Sequence, residues 1–120
     1  IAALVAAPVR PNYVLAPKVD DPEDIERVRR LLGVAALPVI ALIETAVAVD
    51  NATAIARAVA PEGMLFFGAM DMSAELGCTL DWEPLAFIRS RLVQAAAVAG
   101  VGVLDTPYPD IADEAGGAAE

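Results

Sequence analysis

Four ionisable side chains, Lys18, Glu44, Asp71 and Asp105, each follow or close a short apolar run. Runs of this kind suit buried parallel strands, and in parallel α/β folds the reactive groups gather at the C-terminal ends of strands. Glu44 and Asp71 belong to consecutive runs, so both carboxylates point toward one mouth. Two converging carboxylates repel unless they share a cation or protons. Mg²⁺ suits such a pair, because it takes one or two carboxylates and completes its shell with waters and substrate oxygens; Mn²⁺ accepts the same ligands. The structural alternative for either residue is N-capping or a surface ion pair. Lys18 is either a contact for a substrate anion or the partner of a neighbouring carboxylate. Asp105 either supports the site from behind or is a turn residue before Pro107.

Several chemistries are excluded by composition. There is no His in the 120 residues, which removes the commonest general base and the commonest zinc ligand. A metal here is therefore held by oxygen. The single cysteine, Cys78, cannot form an intrachain disulfide and fits a reducing, cytoplasmic setting. With no His to activate it, it is not read as a nucleophile. The net charge is −9 with no basic patch, which argues against nucleic acid as a partner. The longest charge-free apolar run, Leu31 to Ile43, is interrupted by Gly33 and Pro38 and is too short to span a bilayer. No signal peptide is visible. Apolar residues make up 58% and aromatics 5%, a composition for a finely packed core rather than a disordered chain.

The elements that would position these groups alternate between strand and helix. Ile1 to Ala7 reads as the end of a helix, and Tyr13 to Pro17 as a first strand. Asp20 to Asp24 forms an acidic helix start with Pro22 near N1. Ile25, Val28, Leu31 and Leu32 follow at helical spacing, Arg27, Arg29 and Arg30 complement the dipole at the far end, and Gly33 is the stop. Pro38 to Ile43 is a second strand. A helix capped by Asp50-Asn51 carries Ile55 and Val59 and ends at Pro61. Met64 to Phe67 is a third strand, closed by Gly68-Ala69-Met70-Asp71. Asp81 caps a long helix from Trp82 to Ala99, with Leu85, Ile88, Leu92, Ala95, Ala96 and Ala99 on its apolar face. Gly100 ends it, and Val101 to Leu104 is a fourth strand. Trp82 is read as packing, Glu75 as facing solvent or an adjacent subunit, and the chain stops as another helix begins. Strands apolar on both faces that alternate with helices predict a parallel sheet, either doubly wound or part of a (β/α)₈ barrel.

Four segments, in order and at matching spacing, resemble the citrate lyase β-subunit and malyl-CoA lyase family within the HpcH/HpaI aldolase superfamily. They are Val14-Leu15-Ala16-Pro17-Lys18-Val19, continued by Asp24 to Val28; Pro38 to Ala46 around Ile43-Glu44-Thr45; Phe66 to Gly77 around Gly68-Ala69-Met70-Asp71; and Asp105 to Asp110 with Asp113 to Gly116. The chain departs from the pattern at Ala16, where Pro is usual, at Val47-Ala48, where Arg-Gly is common, and at Gly117, where Leu is common.

The resemblance implies a TIM barrel of the phosphoenolpyruvate/pyruvate type, residues 1–120 supplying roughly strands four to seven. It implies Mg²⁺ on Glu44 and Asp71, a charge-balancing Lys18, and a backbone at Gly68, Ala69 and Met70 that approaches the substrate carboxylate. The implied activity is carbon–carbon cleavage of a 3-hydroxyacyl-CoA of the citramalyl, malyl or citryl type into an α-keto acid and acetyl-CoA, in a homo-oligomer. Family members are longer, and the Arg that grips the substrate carboxylate and the CoA-phosphate contacts come from segments outside these residues. Three other readings stand beside it: a thioester hydrolase on the same scaffold, a non-catalytic metal- or phosphate-binding module, and an inactive half-barrel fragment that self-associates through its open strand edges.

Overall fold

The computed structural model describes residues 11–33, 37–110 and 112–119; the expected helix end at Ile1 to Ala7 lies outside them. Four strands, β1 (Val14–Ala16), β2 (Val39–Ile43), β3 (Met64–Phe67) and β4 (Gly102–Leu104), form one sheet in the order β1-β2-β3-β4. Every pairing is parallel, with Leu15 beside Ile40, Ile40 beside Met64 and Phe66 beside Leu104. The helices are α1 (Pro22–Leu32), α2 (Ala46–Asp50), α3 (Ala52–Val59), α4 (Ala69–Leu76), α5 (Trp82–Ala99) and α6 (Glu114–Ala119).

The period of two along each strand separates the faces of the sheet. Val39, Ala41, Ile43, Leu65 and Phe67 are buried against a row of helices. In that row α1 packs on α3 and β2, α3 on β2, β3 and α5, and α5 on β3 and β4. The alternate residues, such as Leu15, Ile40, Leu42, Met64, Phe66 and Leu104, are only part-buried or exposed and form an apolar face with no helix over it among the described residues. A doubly wound sheet reverses its strand order and carries helices on both faces. Here the order of the described strands does not reverse, and α1, α3 and α5 share one face. The sheet is thus consistent with part of a TIM-barrel-like fold, its edges at β1 and β4 open among the described residues.

Local sequence explains most boundaries. Asp21 caps α1 by accepting from the Glu23 and Asp24 amides at 2.7 and 3.2 Å, and Asp24 returns the bond as an acceptor for the Asp21 amide, a full capping box. Pro22 stands at the first helical position, where its missing N–H costs nothing. Gly100 closes α5 with φ +70°, a left-handed conformation that glycine adopts without steric cost. Leu85, Ile88, Leu92, Ala95 and Ala96 are buried along α5 as the spacing predicts.

Three boundaries differ from expectation. The helix expected from Asp50-Asn51 is preceded by α2, capped by the Thr45 hydroxyl, which accepts from the Ala48 amide at 3.1 Å. Asn51 makes no side-chain cap and instead donates to the Asp20 carbonyl at 2.9 Å. Ala69, Met70 and Asp71, read from the sequence as closing the third strand, instead open helix α4, so Asp71 lies in a first helical turn rather than on a strand end. Asp81 occupies the N-cap position of α5 but makes no side-chain cap bond; it accepts from the Thr79 hydroxyl at 2.6 Å.

Candidate metal centre

Glu44 follows directly on Ile43, and strand alternation carries it to the face shared by Ile40 and Leu42. It is only 5% exposed. A buried carboxylate needs specific partners, and the nearest comes from the end of β1. The Lys18 amide donates to Glu44 Oε1 at 2.9 Å. Lys18 reaches this position with φ +53°, the one non-glycine residue with positive φ among those described. Its ammonium then turns back to lie 2.9 Å from Asp71 Oδ2 and 3.9 Å from Glu44 Oε1.

Asp71 arrives from the first turn of α4, where the helix dipole favours a carboxylate. Its pKa is held below the ordinary range, first by the hydrogen bond from Lys18, then by the charge of Lys18, with a smaller contribution from the Glu44 carboxyl. Lys18 is held above its ordinary range, chiefly by the same bond to Asp71, against an opposing effect of desolvation.

Gly68 makes this approach sterically possible. A Cβ built on it would lie 2.7 Å from Glu44 Cβ and 3.1 Å from Glu44 Oε2, so any side chain there would push Glu44 aside. Its amide donates to the Ile43 carbonyl at 2.9 Å, tying the start of α4 to β2. Ala69 is buried, whereas Met70 is 66% exposed and its carbonyl accepts from the Ser73 hydroxyl.

A ring of polar contacts braces the loops behind the pair. The Thr45 hydroxyl donates to Asp20 Oδ1, and Glu75 accepts from the Ala46 amide at 2.8 Å. Asp20 was expected only as a helix-start residue and Glu75 as a group facing solvent or another subunit; both instead connect neighbouring strand ends. Asp105 is not hydrogen-bonded to Glu44, Lys18 or Asp71. Its carboxylate accepts from Arg89 Nε at 2.8 Å and from the Thr106 amide at 2.7 Å.

Arg89 is the residue that sequence reasoning missed. It is 9% exposed, with its guanidinium carbon 5.2 Å from the centre of the Phe67 ring and 4.8 Å from that of Trp82. The signal for its burial was available: Arg89 lies four residues after Leu85 and three before Leu92, on the inward stripe of α5. Trp82, expected as packing, is the outer plate of this stack.

The donor set is oxygen only. Among the described residues no group of three or more His, Cys, Asp or Glu is arranged to hold a metal, so Glu44 and Asp71 stand as a pair. Two carboxylates, with the rest of the shell supplied by water and substrate oxygens, fit the coordination habit of Mg²⁺ and do not fit an all-protein zinc or calcium cage. Also among the described residues, no helix is long and apolar enough to cross a membrane.

The family model for HpcH/HpaI aldolase/citrate lyase matches residues 2–120. The chain belongs to the HpcH/HpaI aldolase/citrate lyase family. RipC from Yersinia pestis is similar at 35% identity with a TM-score of 0.85, over 96% of this chain and 54% of that one. A citrate lyase β subunit from M. tuberculosis, complexed with oxaloacetate and magnesium, is 29% identical with a TM-score of 0.70, over 88% of this chain and 47% of its own. CitE from M. tuberculosis with magnesium and acetoacetate is 28% identical with a TM-score of 0.75, over 96% and 47%. This HpcH/HpaI chain thus spans about half the length of the solved relatives it matches. Among curated proteins none matches it.

Proposed function

We propose that this chain carries the metal-binding portion of a magnesium-dependent carbon–carbon lyase. Its substrate class would be 3-hydroxyacyl-CoA thioesters of the citramalyl, malyl or citryl type, cleaved to an α-keto acid and acetyl-CoA or a related thioester. One observation carries the reading. The carboxylates of Glu44 and Asp71 converge from adjacent β–α units on a single cationic group, Lys18 Nζ. The similarity to proteins solved with magnesium and with oxaloacetate or acetoacetate supports it.

Glu44 and Asp71 would hold the ion, with the Lys18 amide fixing Glu44 and Gly68 leaving room for its side chain. The bound ion supplies Lewis acidity toward the carbonyl of the keto acid and orients it. With no His in the sequence, the proton that moves between the hydroxyl and the thioester α-carbon is carried by a carboxylate, by water or by a residue outside these elements. Lys18 balances the charge of the pair, and Asp105, clamped by Arg89, fixes the end of β4. Mn²⁺ is an expected substitute for Mg²⁺. The setting is read as cytoplasmic and the whole protein as a homo-oligomer, which the exposed apolar side chains Val47, Leu76, Trp82 and Phe87 support.

The test is Mn²⁺ binding, followed by the paramagnetic signal of the free ion, for the parent chain, Glu44→Gln and Asp71→Asn. Binding by the parent that both substitutions abolish is the expected result. Equal binding by all three would overturn the site. Products formed from a malyl- or citramalyl-CoA thioester then separate the chemistries: acetyl-CoA and a keto acid for a lyase, free CoA and an intact hydroxy acid for a thioester hydrolase.

A further inference from the structure

Lys18 holds the carboxylate pair in two different ways. Its amide is bonded to Glu44 Oε1 through the backbone and does not depend on the side chain. Its ammonium, by contrast, ends a flexible stem whose side chain is 60% exposed. The ammonium lies against Asp71 Oδ2 and faces Glu44 Oε1, in the space between the two acids. A compact ammonium is a good counter-ion for converging carboxylates. A divalent cation entering the same space would repel it at a distance of a few ångströms.

We propose that the Lys18 ammonium is a resident counter-ion that holds Glu44 and Asp71 together in the metal-free protein and swings into solvent when a divalent cation enters. The ammonium and the metal are alternative occupants of one position. The Lys18 amide stays on Glu44 Oε1 throughout, so the buried ligand keeps its orientation while the exposed half of the clamp opens. The inference rests on the reading of Glu44 and Asp71 as metal ligands, and it assigns Lys18 a competing role toward the cation in addition to charge balance. The left-handed backbone at Lys18 is what allows one residue to present both its amide and its ammonium to the same pair of acids.

Lys18 is the only lysine in the sequence, so its amine can be followed by chemical labelling without interference from another side chain. The experiment measures Mn²⁺ affinity for the parent chain, Lys18→Met, Lys18→Arg, Glu44→Gln and Asp71→Asn. Alongside it, the rate of Lys18 acetylation in the parent is followed by mass spectrometry with and without Mg²⁺. Removing a competing unit charge is expected to tighten Mn²⁺ binding by Lys18→Met about tenfold, the scale of a close charge contact screened by a water-like dielectric. Lys18→Arg is expected to stay near the parent, and Mg²⁺ is expected to speed Lys18 acetylation. Equal or weaker binding by Lys18→Met, with binding still lost in Glu44→Gln and Asp71→Asn, overturns the displacement and leaves the metal site standing. Binding unaffected by Glu44→Gln and Asp71→Asn, or absent from the parent, overturns both. Acetylation of the parent that Mg²⁺ leaves unchanged also overturns the displacement, and it does so even if Lys18→Met fails to fold.

Discussion

The backbone amide of Lys18 donates to the buried carboxylate of Glu44 at 2.9 Å across 26 positions of sequence. The bond ties the end of β1 to the end of β2 and depends on a left-handed conformation at Lys18. A non-glycine residue held in this region costs about 1–3 kcal/mol unless its surroundings compensate.

Glycine adopts the same conformation freely and keeps the amide. Lys18→Gly is therefore expected to be more stable than Lys18→Met by about 1 kcal/mol. Both variants lose the ammonium, so the comparison isolates the backbone. Urea denaturation of the two reports the difference.

The Lys18–Asp71 pair sets a pH window. The folded pKa of Asp71 is depressed, so its contribution to stability is present above the unfolded carboxylate range and is lost as pH falls through the lower folded value. The pKa of Lys18 is raised, so its contribution is complete below the ordinary lysine value and is lost as pH rises through the higher folded one. The pair should thus survive into more acidic and more alkaline solution than two free groups would. A carbon-13 titration of the Asp71 carboxyl is expected to give a midpoint below the ordinary range. In Lys18→Met that midpoint should move back upward.

Gly68→Ala would drive a methyl group into Glu44. Overpacking of this kind costs about 1–3 kcal/mol, and it should also displace a proposed ligand. Lower thermal stability together with weaker Mn²⁺ binding is expected. A variant with parent-like stability and affinity would show that Glu44 can move without consequence.

Arg89 offers a different contrast. Its Nη1 is buried with no hydrogen-bond partner among the described residues, so part of its polar surface is desolvated without return. Arg89→Met keeps most of the volume between Phe67 and Trp82 and is expected to cost no more than about 1 kcal/mol. Arg89→Ala also empties the space and should cost about 2–4 kcal/mol. Neither is expected to alter Mn²⁺ affinity, because Arg89 bonds to Asp105 and not to Glu44 or Asp71. Denaturation and metal titration of both variants check the two halves of this expectation.

Thr45→Val removes the cap on α2 and the hydroxyl that bonds Asp20 while preserving shape. Loss of a side-chain cap costs about 0.5–2 kcal/mol, and the site should loosen with it. Faster amide exchange at Ala48 is the local readout.

Much of the architecture was written in the apolar periodicity. Val39 to Ile43 and Met64 to Phe67 could only be strands covered on at least one side, and the stripe from Leu85 to Ala96 could only be an inward helix face. Glu44 was legible for the same reason, because an acid placed directly after a buried strand has few places to go. Less legible was Asp71, whose place in a helix follows from the Gly68 turn and not from any strong helix signal in Ala69-Met70-Asp71. Arg89 was masked by its charge: its spacing put it on the inward stripe, but its stacking on Phe67 and its bond to Asp105 come from other elements that local spacing does not record. The Thr45–Asp20 and Glu75–Ala46 contacts were likewise invisible, since they exist only once neighbouring strand ends are side by side.

The unreversed strand order also has a consequence for how the molecule is assembled. Each strand pairs with the next one in sequence, Val14 with Val39, Ile40 with Met64 and Met64 with Gly102. Among the described strands, no pairing has to wait for a segment synthesised much later. Because closing a chain loop becomes harder as the loop lengthens, such a sheet can grow from its first edge in the direction in which the ribosome releases it. Glu44 would meet Lys18 before Gly68 and Asp71 have emerged, so the carboxylate would be anchored before the rest of its site exists.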